Sequence, residues 1–227
     1  MILIPAGEFT MGSNERHPDE GPEHKVTLPG YYIDKFEVTN SDYRLFVKAT
    51  GHRTPDHWPA GKVPSGREKH PVVFVDWYDT GAYCKWAEKK LPTQEEWEKA
   101  ARGTDARRFP WGNEFDPQKA DTPQTGIGDT VPVGSFPAGA SPYGVMDMAG
   151  NVWEWTTDYY LPYPGNKSPS SNYGKRDRVL KGGSWFDCLF YGCGISAPSY
   201  NRLFLHPKSR DDSYGFRCVY VPTGEKR

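Results

Sequence analysis

Residues 91–103 read LPTQEEWEKAARG and carry the clearest local signal in the chain. Thr93 followed three positions later by Glu96 is a capping box, in which each side chain satisfies a backbone N–H that the first turn of a helix leaves unpaired. Trp97, Ala100 and Ala101 then recur at helical spacing as an inner face, and Gly103 ends the segment. Upstream, Thr39 or Asn40 can cap a helix that places Tyr43, Phe46 and Val47 on one face and stops at Gly51. Asp76 is placed to cap another, carrying Tyr83, Trp86 and Ala87 inward. Residues 2–13 and 24–40 alternate loosely around Pro and Gly breaks and read as short strands. Beyond Gly103 the pattern is turns and short strands only. Helices early and sheet with loops late is an α+β arrangement, not the alternation of a doubly wound fold.

A chain of 227 residues can bury one good core, and residues 1–227 read as a single domain. Net charge is −1 with no basic run, so binding to nucleic acid or to an anionic membrane through bulk charge is not expected. Nor is direct membrane insertion or a secretion signal: no apolar run approaches a span, and Met1 leads straight into a strand-like segment. Localisation is left open. Eight Trp and fourteen Tyr alongside 24 Gly and 21 Pro suit irregular structure stitched by aromatic packing. His17 and His24 lie in a loop broken by Pro and Gly and read as solvated, as does the Gly/Pro/Ser-rich run 163–175. Four cysteines are too few for a disulfide scaffold; one or two bridges or free thiols both remain open.

The stretch 181–220, KGGSWFDCLFYGCGISAPSYNRLFLHPKSRDDSYGFRCVY, has rigid-looking ends, GGSW and YGFRC, around a middle of unusual composition. Between Phe186 and Pro207 there is no Lys, Glu, Gln, Met or Trp. Every residue type that does occur there can be written with a codon ending in a pyrimidine, and none of the five missing types can. Repeated randomisation of Asn codons at their adenines leaves that signature. An apolar strand region that avoids charge is the plainer account of the same composition.

At LPTQEEWEKAARG, FPWGN, YGVMDMAGNVWEWT, GGSW and GFRC, in that order, the sequence resembles the formylglycine-generating (sulfatase-modifying factor) family. The resemblance implies a C-type lectin-like fold of the formylglycine-generating type: two main helices on a small twisted antiparallel sheet, with much irregular structure. It covers three kinds of protein: copper oxidases that make formylglycine from a sulfatase cysteine, iron-dependent sulfoxide synthases, and the variable proteins of diversity-generating retroelements. The synthases' additional helical domain with its histidines has no counterpart here.

For the oxidase, the family pattern places two cysteines five positions apart after the GGS motif, where their thiolates bind soft, monovalent copper. Cys188 and Cys193 have that spacing, but Cys188 lies one residue later than the pattern and the segment from Ser184 to Arg202 is longer. On a strand, a one-residue slip turns a side chain to the other face. The resemblance also implies a structural calcium site with side-chain oxygens from Asp147 and Glu154 and carbonyls from Gly150 and Val152, and a looser second site near Asp121 and Asp129. It further implies a Cys84–Cys218 bridge, expected if the protein matures in an oxidising compartment.

The reading that follows is a ligand-binding, receptor-like variable protein, with residues 182–217 as the variable region and a macromolecular ligand, a protein on a host or neighbouring cell. Phe186, Asp187, Leu189, Phe190, Tyr191, Tyr200, Asn201, Leu203, Phe204 and His206 form the expected patch, with Leu203 and Ile195 assigned to the core. Ser184, Trp185, Arg202, Pro207, Arg210, Gly215, Phe216 and Arg217 are framework. Display on a virion or a cell surface, through an unspecified partner, is expected. The copper oxidase, with Cys188 and Cys193 catalytic, is the alternative.

Overall fold

The computed structural model describes residues 1–186 and 197–222. Among these residues there are three α-helices, where the resemblance implies two main ones. Helix α1 (Asn40–Thr50) is capped by Thr39 and closed by Gly51 in the left-handed conformation. Helix α2 (Trp77–Trp86) is capped by the Asp76 carboxylate, which accepts from the N–H groups of Tyr78 and Asp79. Helix α3 (Gln94–Arg102) begins with the expected capping box: Thr93 Oγ1 accepts from Glu96 N at 3.1 Å and Glu96 Oε2 accepts from Thr93 N at 2.8 Å. Trp86, expected inward, is instead 39% exposed. As the last residue of α2 it lies along the rim formed by Phe46 and Tyr83, each ring 5.6 Å away.

Nine short strands form three sheets among the described residues, rather than one. Strands β1 (Ile2–Ile4), β4 (Tyr31–Ile33) and β9 (Val219–Tyr220) make one antiparallel sheet, and β2 (Gly7–Met11) pairs with β3 (His24–Leu28) as a second. The third has the order β7 (Leu203–Leu205), β6 (Arg178–Lys181), β5 (Trp153–Tyr159), β8 (Tyr214–Gly215). It is not purely antiparallel: β8 runs parallel to β5, because the chain crosses over through residues 206–213 to return beside it.

Strand β5 organises the interior through the two-residue alternation of a strand. Trp153 and Trp155 face a core shared with Tyr43, Phe46 and Tyr83 of α1 and α2, together with Leu180, Leu203 and Phe216. Glu154 points the other way, toward α3, where Trp97, Ala100 and Ala101 pack on Ile4, Tyr31, Ile33 and Met148. The Cys84–Cys218 disulfide ties α2 to the residue before β9, with Cα atoms 5.7 Å apart. None of the described helices is long and apolar enough to cross a membrane.

Candidate ligand-binding surface

The candidate variable region opens where β6 turns at Gly182, whose φ of 101° strains any side chain and where a Cβ would sit 3.0 Å from the Trp97 indole. Ser184 is fully buried, and its Oγ accepts from Phe186 N at 3.2 Å. Trp185 N donates to Asn151 O at 2.9 Å, and its indole Nε1 donates to Asp212 O at 3.2 Å. These bonds fix the entry to the segment. Phe186 beyond them is 51% exposed and rests against the Trp185 ring.

The return from the segment is fixed as firmly. Ala197 and Ser199 are buried, and Ser199 N donates to Arg108 O at 2.9 Å. The Arg202 guanidinium lies over the rings of Tyr160 and Tyr163 and donates to Asp19 O at 2.8 Å and Leu161 O at 2.9 Å. Strand β7 then pairs with β6, with Phe204 opposite Val179. Arg210 Nη2 reaches Asp76 Oδ2 at 2.6 Å and so ties the following loop to the start of α2.

The expected patch divides. Phe186 and His206 are exposed, and Phe204 is half-buried with one ring face stacked on Tyr160 at 4.0 Å. Tyr200 and Asn201, expected on display, are buried. The Tyr200 hydroxyl accepts from Arg108 Nε at 3.1 Å while Arg102 covers its ring, and Asn201 Oδ1 accepts from Arg202 N at 2.8 Å. A buried hydroxyl and amide with such partners belong to the frame. Leu203 is buried, as assigned. Asp187, Leu189, Phe190, Tyr191 and Ile195, and the two cysteines Cys188 and Cys193, lie outside the described residues.

The turn expected to hold calcium has three consecutive signs of tight geometry: Asp147, Gly150 and Asn151 all have φ between 57° and 82°. A Cβ on Gly150 would collide with Asp121 O at 2.0 Å. The carboxylates do not form a ligand set. Both Glu154 oxygens are engaged: Oε2 accepts from Arg217 Nε at 2.7 Å and Trp97 Nε1 at 2.9 Å, and Oε1 from Arg217 Nη2 at 2.7 Å. Arg217 also donates to Met146 O at 3.0 Å and Asp147 O at 3.3 Å, so its guanidinium ties the start of the turn to Glu154. Asp147 Oδ2 accepts from Gly134 N, and burial pushes its carboxyl up to about 6. Among the described residues, no group of three or more His, Cys, Asp or Glu is arranged to hold a metal. At the looser second site, Asp129 is paired with Arg67, whereas Asp121 Oδ2 is buried without a hydrogen-bond partner and burial lifts its carboxyl to about 7.

The family model for the sulfatase-modifying factor enzyme 1-like domain matches residues 1–221. The chain belongs to that family. It is 32% identical to the formylglycine-generating enzyme of Mus musculus over 292 residues, spanning 99% of this chain and 76% of that protein. It is 35% identical to the mouse inactive C-alpha-formylglycine-generating enzyme 2 over 272 residues, spanning 96% and 85%. Identity thus does not separate a family member named an enzyme from one named inactive. Among solved structures, PvdO from Pseudomonas aeruginosa superposes with a TM-score of 0.77 at 32% identity over 96% of this chain and 92% of that one. Treponema denticola variable protein 1 superposes with a TM-score of 0.78 at 25% identity over 98% and 95%. The fold is the α+β, C-type lectin-like one of this family.

Sequence reading missed the side chains contributed by residues 52–74. His52 and Arg53 bind the Asp79 carboxylate at the start of α2, and His57, Arg67, His70 and Phe74 line a cavity that reaches Asp212. The concentration of His and Arg in a Pro-rich loop was the available signal.

Proposed function

We propose that this family member is a ligand-binding protein that presents a variable surface on residues 182–217, with a protein as its ligand. The observation carrying this reading is the two-ended clamp. Trp185 on one side and Ser199, Tyr200 and Arg202 on the other are held by framework bonds, while Phe186 and His206 at the margins face solvent. A frame that keeps its shape independently of the segment it carries suits a surface whose residues change, and rigid aromatic side chains give contact area at low entropic cost. The likeness to variable protein 1 supports it further. Display on a virion or cell surface belongs to the same proposal.

Calcium enters the reading at Asp121, where a buried carboxylate oxygen has no partner, rather than at Glu154, which Arg217 already neutralises. Thermal unfolding with and without calcium tests this. Stabilisation lost in Asp121→Asn but kept in Glu154→Gln supports it, and the reverse pattern contradicts it.

A copper oxidase is the second reading, favoured by the five-residue spacing of Cys188 and Cys193 after Ser184 and by the enzymes among the relatives. Anaerobic copper(I) titration, with mass analysis of a cysteine-containing sulfatase peptide, separates the two. The binding reading expects no tight stoichiometric copper(I) site and no formylglycine. Both appearing, and both lost in Cys188→Ser, would overturn it.

A further inference from the structure

Arg178, the first residue of β6, stands opposite Tyr159 of β5 on one side and Leu205 of β7 on the other. Its guanidinium carbon lies 3.6 Å from the centroid of the Tyr159 ring and 3.9 Å from that of Trp77. Two rings cannot share one face of so small a plane at that distance, so the guanidinium is held between them, its charge favourable against both. Trp77 is itself fixed. As the first residue of α2 it donates from its indole Nε1 to Thr156 O at 2.8 Å and from its backbone N–H to Pro207 O at 3.1 Å. The second bond ties the stack to the loop that follows β7, next to the exposed His206.

This guanidinium lacks an acid. Most arginines of the chain are ion-paired, Arg102 with Glu98, Arg210 with Asp76 and Arg217 with Glu154 among them, whereas Arg178 has no carboxylate within 4 Å among the described residues. Its Nη1 donates to Thr157 O at 2.6 Å, and its Nε is buried and closed to any ligand. Nη2 differs from both: it makes no hydrogen bond among the described residues, and it keeps contact with solvent. Arg178 and Tyr159 also line a cavity of about 550 Å³ that takes in Leu161 and Pro162, with Glu95 and Asp158 near the start of α3. Neither acid pairs with Arg178; Asp158 Oδ2 accepts from Gln94 N at 2.8 Å instead.

The unmet donor selects the partner. Stacking sets the plane and rotamer of Arg178 before anything binds, so a partner does not have to order a long, flexible side chain. A cation is repelled there, and an apolar side chain leaves Nη2 unsatisfied. A carboxylate accepts from Nη2 and supplies the missing charge, in the strongest class of hydrogen bond that arginine makes. Trp, Tyr and Arg are also the residue types that dominate binding energy at protein interfaces. We propose that Arg178, held between Trp77 and Tyr159, is a constant anchor of the binding surface that takes an aspartate or glutamate carboxylate of the protein ligand. The anchor rests on the ligand-binding reading for its biological occupant. It lies outside residues 182–217, so it stays the same when that segment changes.

The test is an NMR titration of the full chain, with labelled arginine and tryptophan side-chain nitrogens. The probe is the peptide acetyl-Gly-Glu-Gly-amide, with acetyl-Gly-Gln-Gly-amide and inorganic phosphate as controls. The expected result is saturable shifts of the Arg178 guanidinium and Trp77 indole signals with the Glu peptide, and affinity weaker by roughly tenfold or more for the Gln peptide, which has the same size without the charge. Arg178→Lys keeps the charge but loses the planar stack, and should weaken the Glu peptide by a similar factor. No saturable shift, equal affinity for the Gln peptide, phosphate bound as tightly as the Glu peptide, or indifference to Arg178→Lys overturns the assignment. The shifts are read in the parent protein, so the result does not depend on the variant folding. The titration uses no protein ligand, so its failure leaves the display reading standing; copper(I) turnover would remove that reading while leaving a carboxylate site intact.

Discussion

The indole N–H of Trp185 and the carbonyl of Asp212, 3.2 Å apart, join the entry of the proposed variable region to the loop that returns the chain to β8. Trp185→Phe removes this bond while keeping an aromatic ring in place. The expected cost is about 1 kcal/mol of stability, the usual worth of one hydrogen bond, read as a lower urea midpoint with unchanged slope. No change in midpoint would show that the clamp does not depend on this contact.

Arg217 and Glu154 are both fully buried and bound to each other through two hydrogen bonds. Removing one partner leaves a buried charge uncompensated, which costs about 3–5 kcal/mol. Arg217→Met should therefore destabilise by that amount in denaturant melts, far more than Lys25→Met at the exposed Lys25–Glu8 pair, which is expected to change little.

The Cys84–Cys218 bridge closes a sequence separation of 134 residues. The double substitution Cys84→Ser with Cys218→Ser should lower stability by about 2–5 kcal/mol. Non-reducing peptide mapping should recover the 84–218 cross-link from protein purified without reductant. Two free thiols at these positions would refute the pairing.

Glu20 is buried beside Arg16, His17, Asp19 and Lys181, with Oε1 unpartnered, and burial lifts its carboxyl from 4.5 to about 7. The folded state thus holds this proton more tightly than the unfolded chain does. Its contribution to stability is fully present below about pH 4.5 and declines as pH rises toward 7. Glu20→Gln should flatten that decline, leaving the variant more stable than the parent at pH 8. Parallel stability curves for the two proteins would contradict the assignment.

Local chemistry made α3 legible: a capping box and an inner face within one short window need no distant information. The burial of Tyr200 was not legible, because the group that binds its hydroxyl, Arg108, is 92 residues away. A tyrosine in a diversified-looking segment reads as a contact residue until that partner is placed. Glu154 shows the same limit. Its neighbours along β5 suggest a metal-binding turn, but strand alternation aims it at α3 and the pairing of β8 with β5 brings Arg217 alongside. The His57 cavity needed four separate segments to meet, and none of them carries a recognisable motif by itself.

The central claim is that residues 182–217 are a variable surface on a constant frame. Sequencing the corresponding coding segment across isolates, together with any second genomic copy of it, tests this most directly. The account predicts a near-identical template copy beside a reverse-transcriptase gene, with differences confined to template adenines. They should fall between Phe186 and Pro207 and spare Ser184, Trp185, Gly215, Phe216 and Arg217. No template copy, with substitutions spread evenly over the frame and the segment, would contradict it.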